Sequence, residues 1–265
     1  MKKLIKIGIA GVLVLSLLGL AGCGESQSNG TAQKGSNAAS EKVLKVGSDI
    51  AYAPMEYMNE KQQPEGFEVD LMTAIGEDMG YKVEFQTAAF DGLITSLNAG
   101  NYDAVISSMT ITEERAKSVQ FSDKYFQATQ SLAVKQGSPI KSEADLKGRK
   151  VAVQVATTGQ EVVEKMGITP QKYDTAPDAL NDLINGGVEA AVIDSPVVAY
   201  FIKQNPSKNI VTVSGNFDKE YYGIAVKKDN KELADKINTS LKKLIDNNKY
   251  NEIYKKWFNT DAPKL

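Results

Sequence analysis

The chain has 265 residues and a formal charge of −2, with no histidine and a single cysteine, Cys23. Histidine-dependent nucleophilic catalysis therefore lacks its base, zinc lacks its usual ligands, and no intrachain disulfide can form. The mildly acidic balance without a basic tract argues against a nucleic-acid partner, and we expect neither a metal nor a cofactor.

Residues 1–22 predict a secretory signal peptide. Three lysines in the first six residues precede a short apolar run over 7–20, which is shorter than a comfortable membrane span. The stretch Leu20-Ala21-Gly22-Cys23 resembles a bacterial lipobox, so we predict cleavage before Cys23 and a lipid on its thiol. The alternative is a plain leader with an incidental cysteine.

Residues 23–42 predict a lipidated N-terminus followed by a disordered tether. Between 24 and 42 there is no aromatic or branched aliphatic residue, only small polar residues, alanine and a few charges. Such a segment buries too little apolar surface to offset the entropy of ordering it. The tether would hold a folded domain close to a membrane.

From Val43 onward, strand patterns alternate with helix patterns. The predicted strands cover 43–47, 82–85, 103–106, 151–153 and 190–193, and the predicted helices cover 71–79 (opened by Asp70), a segment around 93–97, 112–118, 160–166 and 178–185. This alternation predicts α/β layers around mostly parallel sheets, in two lobes. An aromatic stripe at helical spacing in 250–258 indicates core packing.

Arg115, one of only two arginines, occupies the third position of the helix that Thr112 would cap. A cation there opposes the partial positive charge of the helix N-terminus. A bound anion would resolve this conflict, held by free N–H groups and the guanidinium together. The alternative is a surface arginine paired with Glu113 or Glu114.

Hydroxyl side chains follow two predicted strands. Ser107, Ser108 and Thr110 come after the strand at 103–106, at the kind of strand end where open α/β sheets bind ligands. Thr157 and Thr158 lie in a second such corner, between the strand at 151 and the helix expected near 160. Taken alone, that second corner is typical of an ordinary helix cap.

Two carboxylates and two aromatic residues lie near other strand ends. Asp49 follows the first strand, Asp194 follows the strand at 190–193, and either could face a cleft and take a cation. Tyr52 and Phe90 could clamp an aliphatic or cationic side chain between their rings. The alternative for Asp194 is a place at a helix start capped by Ser195.

From Val43 to Phe258 the chain resembles the polar amino-acid-binding proteins of ABC importers, in particular the lysine/arginine/ornithine-, histidine-, arginine- and glutamine-binding members. The matching stretches are 47–54, 66–71, 107–115, 156–160, Asp194 and 250–258. The resemblance implies a type II periplasmic-binding-protein-like α/β fold with two Rossmann-like lobes. Lobe one would be 43–124 plus 223–265, lobe two 130–217, with hinge strands at 125–129 and 218–222.

The resemblance also implies roles for the residues singled out above. Arg115, Thr110 and Thr158 would hold the α-carboxylate of an amino acid, and Asp194 would hold its α-ammonium. Because each lobe would carry half of these groups, we expect the ligand alone to join the two lobes when they close.

For the ligand side chain, the resemblance implies a sandwich between Tyr52 and Phe90, with Asp49 and either Ser107 or Ser108 reading its polar end. A carboxylate between aromatic rings favours arginine, lysine or histidine, although Asp49 would also accept from a glutamine amide.

Gln154 and Ile193 stand where glutamine binders have a lysine and a histidine, which weakens the glutamine alternative. We expect a monomeric, non-enzymatic lipoprotein that delivers its ligand to the permease and ATPase subunits of an importer. The rivals are a ligand-sensing module and an enzyme resembling cyclohexadienyl dehydratases, for which Asp49 and Asp194 are the candidate acids.

Overall fold

The computed structural model of the protein describes residues 42–264. The predicted signal peptide, the lipidation site Cys23 and the tether up to residue 41 lie outside the described residues. Lys42, which the sequence assigns to the tether, is the first residue of a strand.

The described part of the chain alternates strands and helices. The strands are β1 (Lys42–Ser48), β2 (Ala51–Tyr52), β3 (Glu56–Met58), β4 (Pro64–Glu65), β5 (Tyr81–Thr87), β6 (Ala104–Val105), β7 (Val119–Lys135), β8 (Val151–Gln154), β9 (Gln171–Tyr173), β10 (Ala190–Asp194), β11 (Ile210–Val213) and β12 (Lys219–Lys227). The helices are α1 (Phe67–Asp78), α2 (Leu93–Ala99), α3 (Glu113–Ser118), α4 (Thr158–Lys165), α5 (Ala176–Asn185), α6 (Ser195–Gln204), α7 (Lys231–Asp246) and α8 (Lys249–Phe258).

One large mixed sheet runs in the order β5-β1-β6-β12-β7-β10-β8-β9, with β11 also paired to β7. The outer strands are parallel, as the alternation predicts: β1 pairs with β5 and β6, and β8 pairs with β9 and β10. The centre is antiparallel, because β7 runs against β12, β10 and β11. The expectation of mostly parallel pairing is therefore wrong for the middle of the sheet.

The two long central strands connect the two halves of this sheet. The segments predicted as hinge strands pair with each other, in the register Lys219 opposite Thr129 and Tyr222 opposite Phe126. The register then shifts at Tyr222 and Gly223. The chain thus crosses between the halves twice, through neighbouring strands that run in opposite directions.

Helix α1 begins at Phe67, four residues before the predicted start, and Asp70 does not cap it. Gly66 precedes the helix at φ +146°, and a Cβ there would lie 2.1 Å from the carbonyl oxygen of Met55. The first free N–H groups bond to backbone carbonyls instead of a side chain, since Phe67 donates to Pro54 and Glu68 to Met55. A side-chain cap signal is therefore absent from the sequence here.

Other helix starts also differ from the prediction, and α5 begins at Ala176, two residues before the predicted start. Helix α4 begins at Thr158 with Thr157 as its cap, not near Gln160. At α6 the cap position belongs to Asp194, and Ser195 is already the first helical residue. Helix α6 directly follows β10, and only residues 155–157 separate α4 from β8, so the chain turns into each helix sooner than the apolar periodicity indicates.

The aromatic stripe of α8 is core packing, as predicted. Tyr250 is 3% and Ile253 is 6% exposed, and the rings of Tyr250 and Tyr254 lie 6.0 and 5.8 Å from that of Phe67. Phe126 of β7 stacks on Tyr254 at 5.8 Å. Between residues 42 and 264, no helix combines the length and apolar character needed to cross a bilayer.

Candidate functional site

A cavity at the strand ends is lined by all the residues that the sequence singles out for ligand binding, together with Gln154. Those residues are Asp49, Tyr52, Phe90, Ser107, Ser108, Thr110, Arg115, Thr157, Thr158 and Asp194. It encloses about 270 Å³ of empty space, part of it open to solvent.

Arg115 bridges the two sides of this cavity. Its backbone N–H donates to the capping oxygen of Thr112 at 3.1 Å, which fixes the start of α3. Its guanidinium donates from Nη1 to the Thr110 carbonyl and from Nη2 to the Ala156 carbonyl, both at 2.9 Å, and lies 5.3 Å from the centre of the Phe90 ring.

The alternative of a surface ion pair for Arg115 does not hold in the described part of the chain. Glu114 pairs with Lys117 instead. The expectation that only a ligand joins the two halves is also wrong, since Arg115 reaches Ala156 directly. The Arg115 side chain is long enough to reach across the cleft without a ligand.

Asp194 lies at the end of β10 with hydrogen-bond donors around its carboxylate. Gln130 Nε2 donates to Oδ1 at 2.6 Å, and the hydroxyl of Tyr222 donates to Oδ2. Asp194 is only 6% exposed. It therefore forms a buried, hydrogen-bonded anion opposite Arg115.

Asp49 marks the other end of the cavity. Gln154 Nε2 donates to its Oδ2 at 2.6 Å and to the Asp174 carbonyl at 3.0 Å, which commits both amide hydrogens. The backbone N–H of Asp49 donates to Ser107 Oγ at 2.9 Å. This contact between Gln154 and Asp49 is a second direct link across the cleft.

Beneath the two serines lie two buried glutamates that sequence reasoning missed, Glu56 and Glu68, each 0% exposed. Ser107 Oγ donates to Glu56 at 3.0 Å, while the N–H and Oγ of Ser108 donate to Glu68 at 3.0 and 2.8 Å. Both serine hydroxyl hydrogens are thus committed within the protein. Only lone pairs of these hydroxyls remain for a ligand.

Glu220 of β12 was also missed. Its Oε2 accepts from the hydroxyls of Thr110 at 2.7 Å and Thr158 at 2.6 Å, and its Oε1 accepts from Gln130 at 3.1 Å. The only signal in the sequence was its position inside a predicted hinge strand. Its carboxylate ties together residues from three separate segments of the chain.

Two non-glycine residues beside the cavity have left-handed backbone. Ser108 has φ +48° and Ala156 has φ +60°. Such conformations cost on the order of 1–3 kcal/mol each and often occur where a site requires a fixed geometry. Here they direct the Ser108 N–H to Glu68 and the Ala156 carbonyl to Arg115.

Comparison with known proteins identifies the fold family. The sequence-family model of the bacterial extracellular solute-binding proteins, family 3, matches residues 44–260. The chain belongs to this family.

Relatives and solved structures agree with this assignment. The probable histidine-binding protein of Neisseria gonorrhoeae is 37% identical, with 94% of each chain covered. The ABC transporter glutamine-binding protein GlnH of Bacillus subtilis (strain 168) is 36% identical, covering 98% of this chain and 99% of its own.

The crystal structure of the arginine-, lysine-, histidine-binding protein ArtJ of Geobacillus stearothermophilus superposes with a TM-score of 0.81. It shares 44% identity and covers 84% of this chain and 98% of its own. The α/β fold of type II periplasmic binding proteins predicted from the sequence is thereby confirmed, as is the family resemblance.

In this solute-binding protein, burial shapes the charge of the cavity. It raises the pKa of Asp194 to about 6, with a further increase from nearby Glu220 and an opposing effect of the Tyr222 and Gln130 hydrogen bonds. It also raises the pKa of Asp49 to about 6, against the stabilising Gln154 bond and with a small increase from Asp91. At neutral pH both carboxylates are ionised.

Burial likewise lowers the pKa of Arg115, but the carboxylates of Glu161, Asp194 and Glu220 oppose this change. The guanidinium therefore stays charged, as arginine does in proteins generally. Burial and the adjacent Glu68 raise the pKa of Glu56 well above its usual range, which favours the protonated form of Glu56. Among the residues that line the cavity, the carboxylates of Asp49 and Asp194 face the guanidinium of Arg115.

Proposed function

We propose that this extracellular solute-binding protein captures a polar L-amino acid, preferentially arginine, lysine or histidine, and delivers it to an ABC permease. The observation that carries the proposal is the charge pattern of the cavity. Arg115 and Asp194 match the α-carboxylate and α-ammonium of an amino acid, which leaves Asp49 as a second carboxylate for a side-chain cation.

Geometry at the Asp49 end supports a cationic side chain. Asp49 and Gln154 offer a carboxylate and an amide whose hydrogens are already used, so this end presents acceptors. A guanidinium has five donors and no acceptor. Glutamine would also need a donor for its amide oxygen, and it is the alternative ligand, in keeping with the similarity to GlnH.

Calorimetric titration of the purified protein against the twenty amino acids, ornithine and citrulline tests the proposal. We expect binding of at least one basic amino acid and weaker binding of glutamine. Tight binding of glutamine with none of arginine, lysine or histidine would overturn the preference. Absence of binding by every amino acid would overturn the proposed function itself.

We also propose that ligand capture closes two lobes, 43–124 plus 223–265 and 130–217, about the hinge strands at 125–129 and 218–222. Support comes from the pairing of those two segments, through which the chain crosses twice between the halves of the sheet. Small-angle scattering with and without ligand would test this motion. An unchanged radius of gyration would contradict it.

The membrane attachment proposed for this chain rests on its N-terminal sequence. A lipid on Cys23 would anchor the protein, and the tether would let a monomeric binding domain reach the permease and ATPase subunits. The family of extracellular binding proteins suits an anchor on the outer face of the cell membrane.

We propose that the chain binds without catalysing a reaction. Each candidate acid accepts hydrogen bonds from fixed donors, Asp194 from Gln130 and Tyr222 and Asp49 from Gln154. These hydrogen bonds oppose the effect of burial and leave both pKa values at about 6, below neutral pH, whereas a dehydratase needs a proton donor. Incubation with prephenate should give no product.

A further inference from the structure

Glu220 lies behind the cavity, and its contacts decide which atoms of two threonines face a ligand. A hydroxyl carries one hydrogen and two lone pairs. Thr110 donates its hydrogen to Glu220 Oε2 at 2.7 Å, and Thr158 donates to the same oxygen at 2.6 Å. Both threonines line the cavity, and both are at least 90% buried. With their hydrogens committed, they present only lone pairs to the cavity.

Gln130 extends this arrangement. Its Nε2 lies 2.6 Å from Asp194 Oδ1, 3.1 Å from Glu220 Oε1 and 3.2 Å from Thr158 Oγ1. Its two amide hydrogens are therefore shared among three acceptors. They are unavailable to a ligand, as are the hydrogens of both threonines.

The charge of Glu220 acts in the same direction. The carboxylates of Glu220 and Asp194 lie close together, because Gln130 Nε2 donates to both of them, and the charge of Glu220 helps to raise the pKa of Asp194. Two carboxylates and two hydroxyl groups that can only accept hydrogen bonds from a ligand thus converge on one end of the cavity. Arg115 keeps its positive charge there and directs two of its hydrogens to carbonyl groups.

We propose that Glu220 is a positioning residue that makes this end of the cavity selective for a free, cationic amino group. The inference rests on the proposed function and deepens it: ligands must carry a primary or secondary ammonium, and analogues that lack it or carry it acylated are rejected. A ligand carboxylate is then held by Arg115 and by free N–H groups in the first turn of α4, not by the threonine hydroxyls.

The test compares Glu220→Gln with the wild type, using L-arginine and its des-amino analogue 5-guanidinopentanoate. If the titration finds another amino acid, that amino acid and its des-amino analogue replace the pair. With its Nε2 toward the threonines, the glutamine amide donates to one of them and turns the hydrogen of that hydroxyl toward the cavity. In the opposite orientation its Nε2 meets the Nε2 of Gln130, so the contact between Gln130 and this carboxylate is lost. We expect at least a tenfold rise in Kd for the amino acid and less than a twofold change for the analogue.

Asp229→Asn is the matched control, because it removes a charge from an exposed side chain outside both hinge strands. We expect both of its Kd values to stay within twofold of the wild type. Equal weakening of the amino acid and its analogue by Glu220→Gln would show a structural role and overturn the proposal. An unchanged Kd for the amino acid would overturn it as well.

A second pair of variants keeps the proposal testable if Glu220→Gln fails to fold. Thr110→Val removes a hydroxyl that Glu220 orients, and Thr110→Ser keeps it. We expect Thr110→Val to reduce the ratio of the Kd of the analogue to the Kd of the amino acid. Thr110→Ser should keep the wild-type ratio. Equal discrimination in the two variants would overturn the proposal. Failure of the wild type to bind any amino acid would instead refute the proposed function.

Discussion

Arg115 donates from Nη2 to the carbonyl oxygen of Ala156 at 2.9 Å, across 41 positions of sequence. The two residues belong to opposite sides of the cleft, one in α3 and the other between β8 and α4. The left-handed backbone of Ala156, at φ +60°, holds the carbonyl in place for this contact. A single guanidinium thus serves both as a bridge between the halves and as the cation available to a ligand anion.

Replacement of Arg115 by lysine should weaken binding of the amino acid by about 2–4 kcal/mol, because lysine keeps the charge but loses the planar fork. Isothermal titration calorimetry measures the change. Arg149→Lys is the matched control, since Arg149 forms an exposed pair with Glu189. Unchanged affinity in Arg115→Lys would remove this residue from the site.

Replacement of Asp49 by asparagine should separate the two ligand classes. For arginine or lysine, a buried cation loses its partner and the affinity should fall by about 2–3 kcal/mol. For glutamine, the asparagine oxygen still accepts from an amide, and the loss should be nearer 1 kcal/mol.

The control for this experiment is Asp91→Asn, which removes an exposed negative charge near Asp49. Asp91→Asn should leave the affinity for each ligand nearly unchanged. Equal losses for arginine and glutamine in Asp49→Asn would contradict the assignment of Asp49 to the ligand side chain.

Asp49→Asn should also stabilise the ligand-free protein at pH 8. The pKa of Asp49 is raised from 3.8 to about 6 in the folded state, chiefly by burial. Its contribution to stability is therefore fully present below pH 4 and is lost as the pH rises through 6. An uncharged asparagine avoids that loss, which amounts to about 1–3 kcal/mol.

Chemical denaturation at pH 4 and pH 8 measures this effect. The free energy of unfolding of Asp49→Asn should exceed that of the wild type at pH 8, and this difference should disappear at pH 4. A wild type that exceeds the variant by the same amount at both pH values would show that the carboxylate is not destabilised by burial.

Replacement of Cys23 by serine should release the protein from the membrane without altering its affinity for ligand, because the thiol is the proposed attachment point. Fractionation of cells followed by titration of the released protein measures both properties. Firm membrane attachment of a processed Cys23→Ser protein would be the contrary result.

Residues next to strand ends were predictable from the sequence. Asp49, Ser107 and Asp194 each follow a short apolar strand, and the carboxyl ends of such strands meet where α/β sheets bind ligands. The outer parallel strands follow from the same local alternation. Local patterns were therefore sufficient for the outline of the cavity and for its charged residues.

Contacts between distant segments were not predictable in the same way. Glu220 meets Thr110 across 110 positions and Thr158 across 62, and no local pattern distinguishes it from a surface glutamate. The antiparallel centre of the sheet depends on β12 returning beside β7, which alternation alone does not specify. Glu56 and Glu68 lie within apolar stretches, but only the fold brings their carboxylates under the serines.

The packing of α8 against Phe67 and Phe126 has a consequence for biogenesis. Phe67 begins α1 and Phe126 lies in β7, and both take aromatic neighbours from a helix that comes late in the sequence. During synthesis this aromatic cluster cannot form until residue 258 has emerged, so we expect the growing polypeptide to stay loosely folded until then. A chain exported from the cell would thereby remain threadable through a translocation channel until α8 has been made.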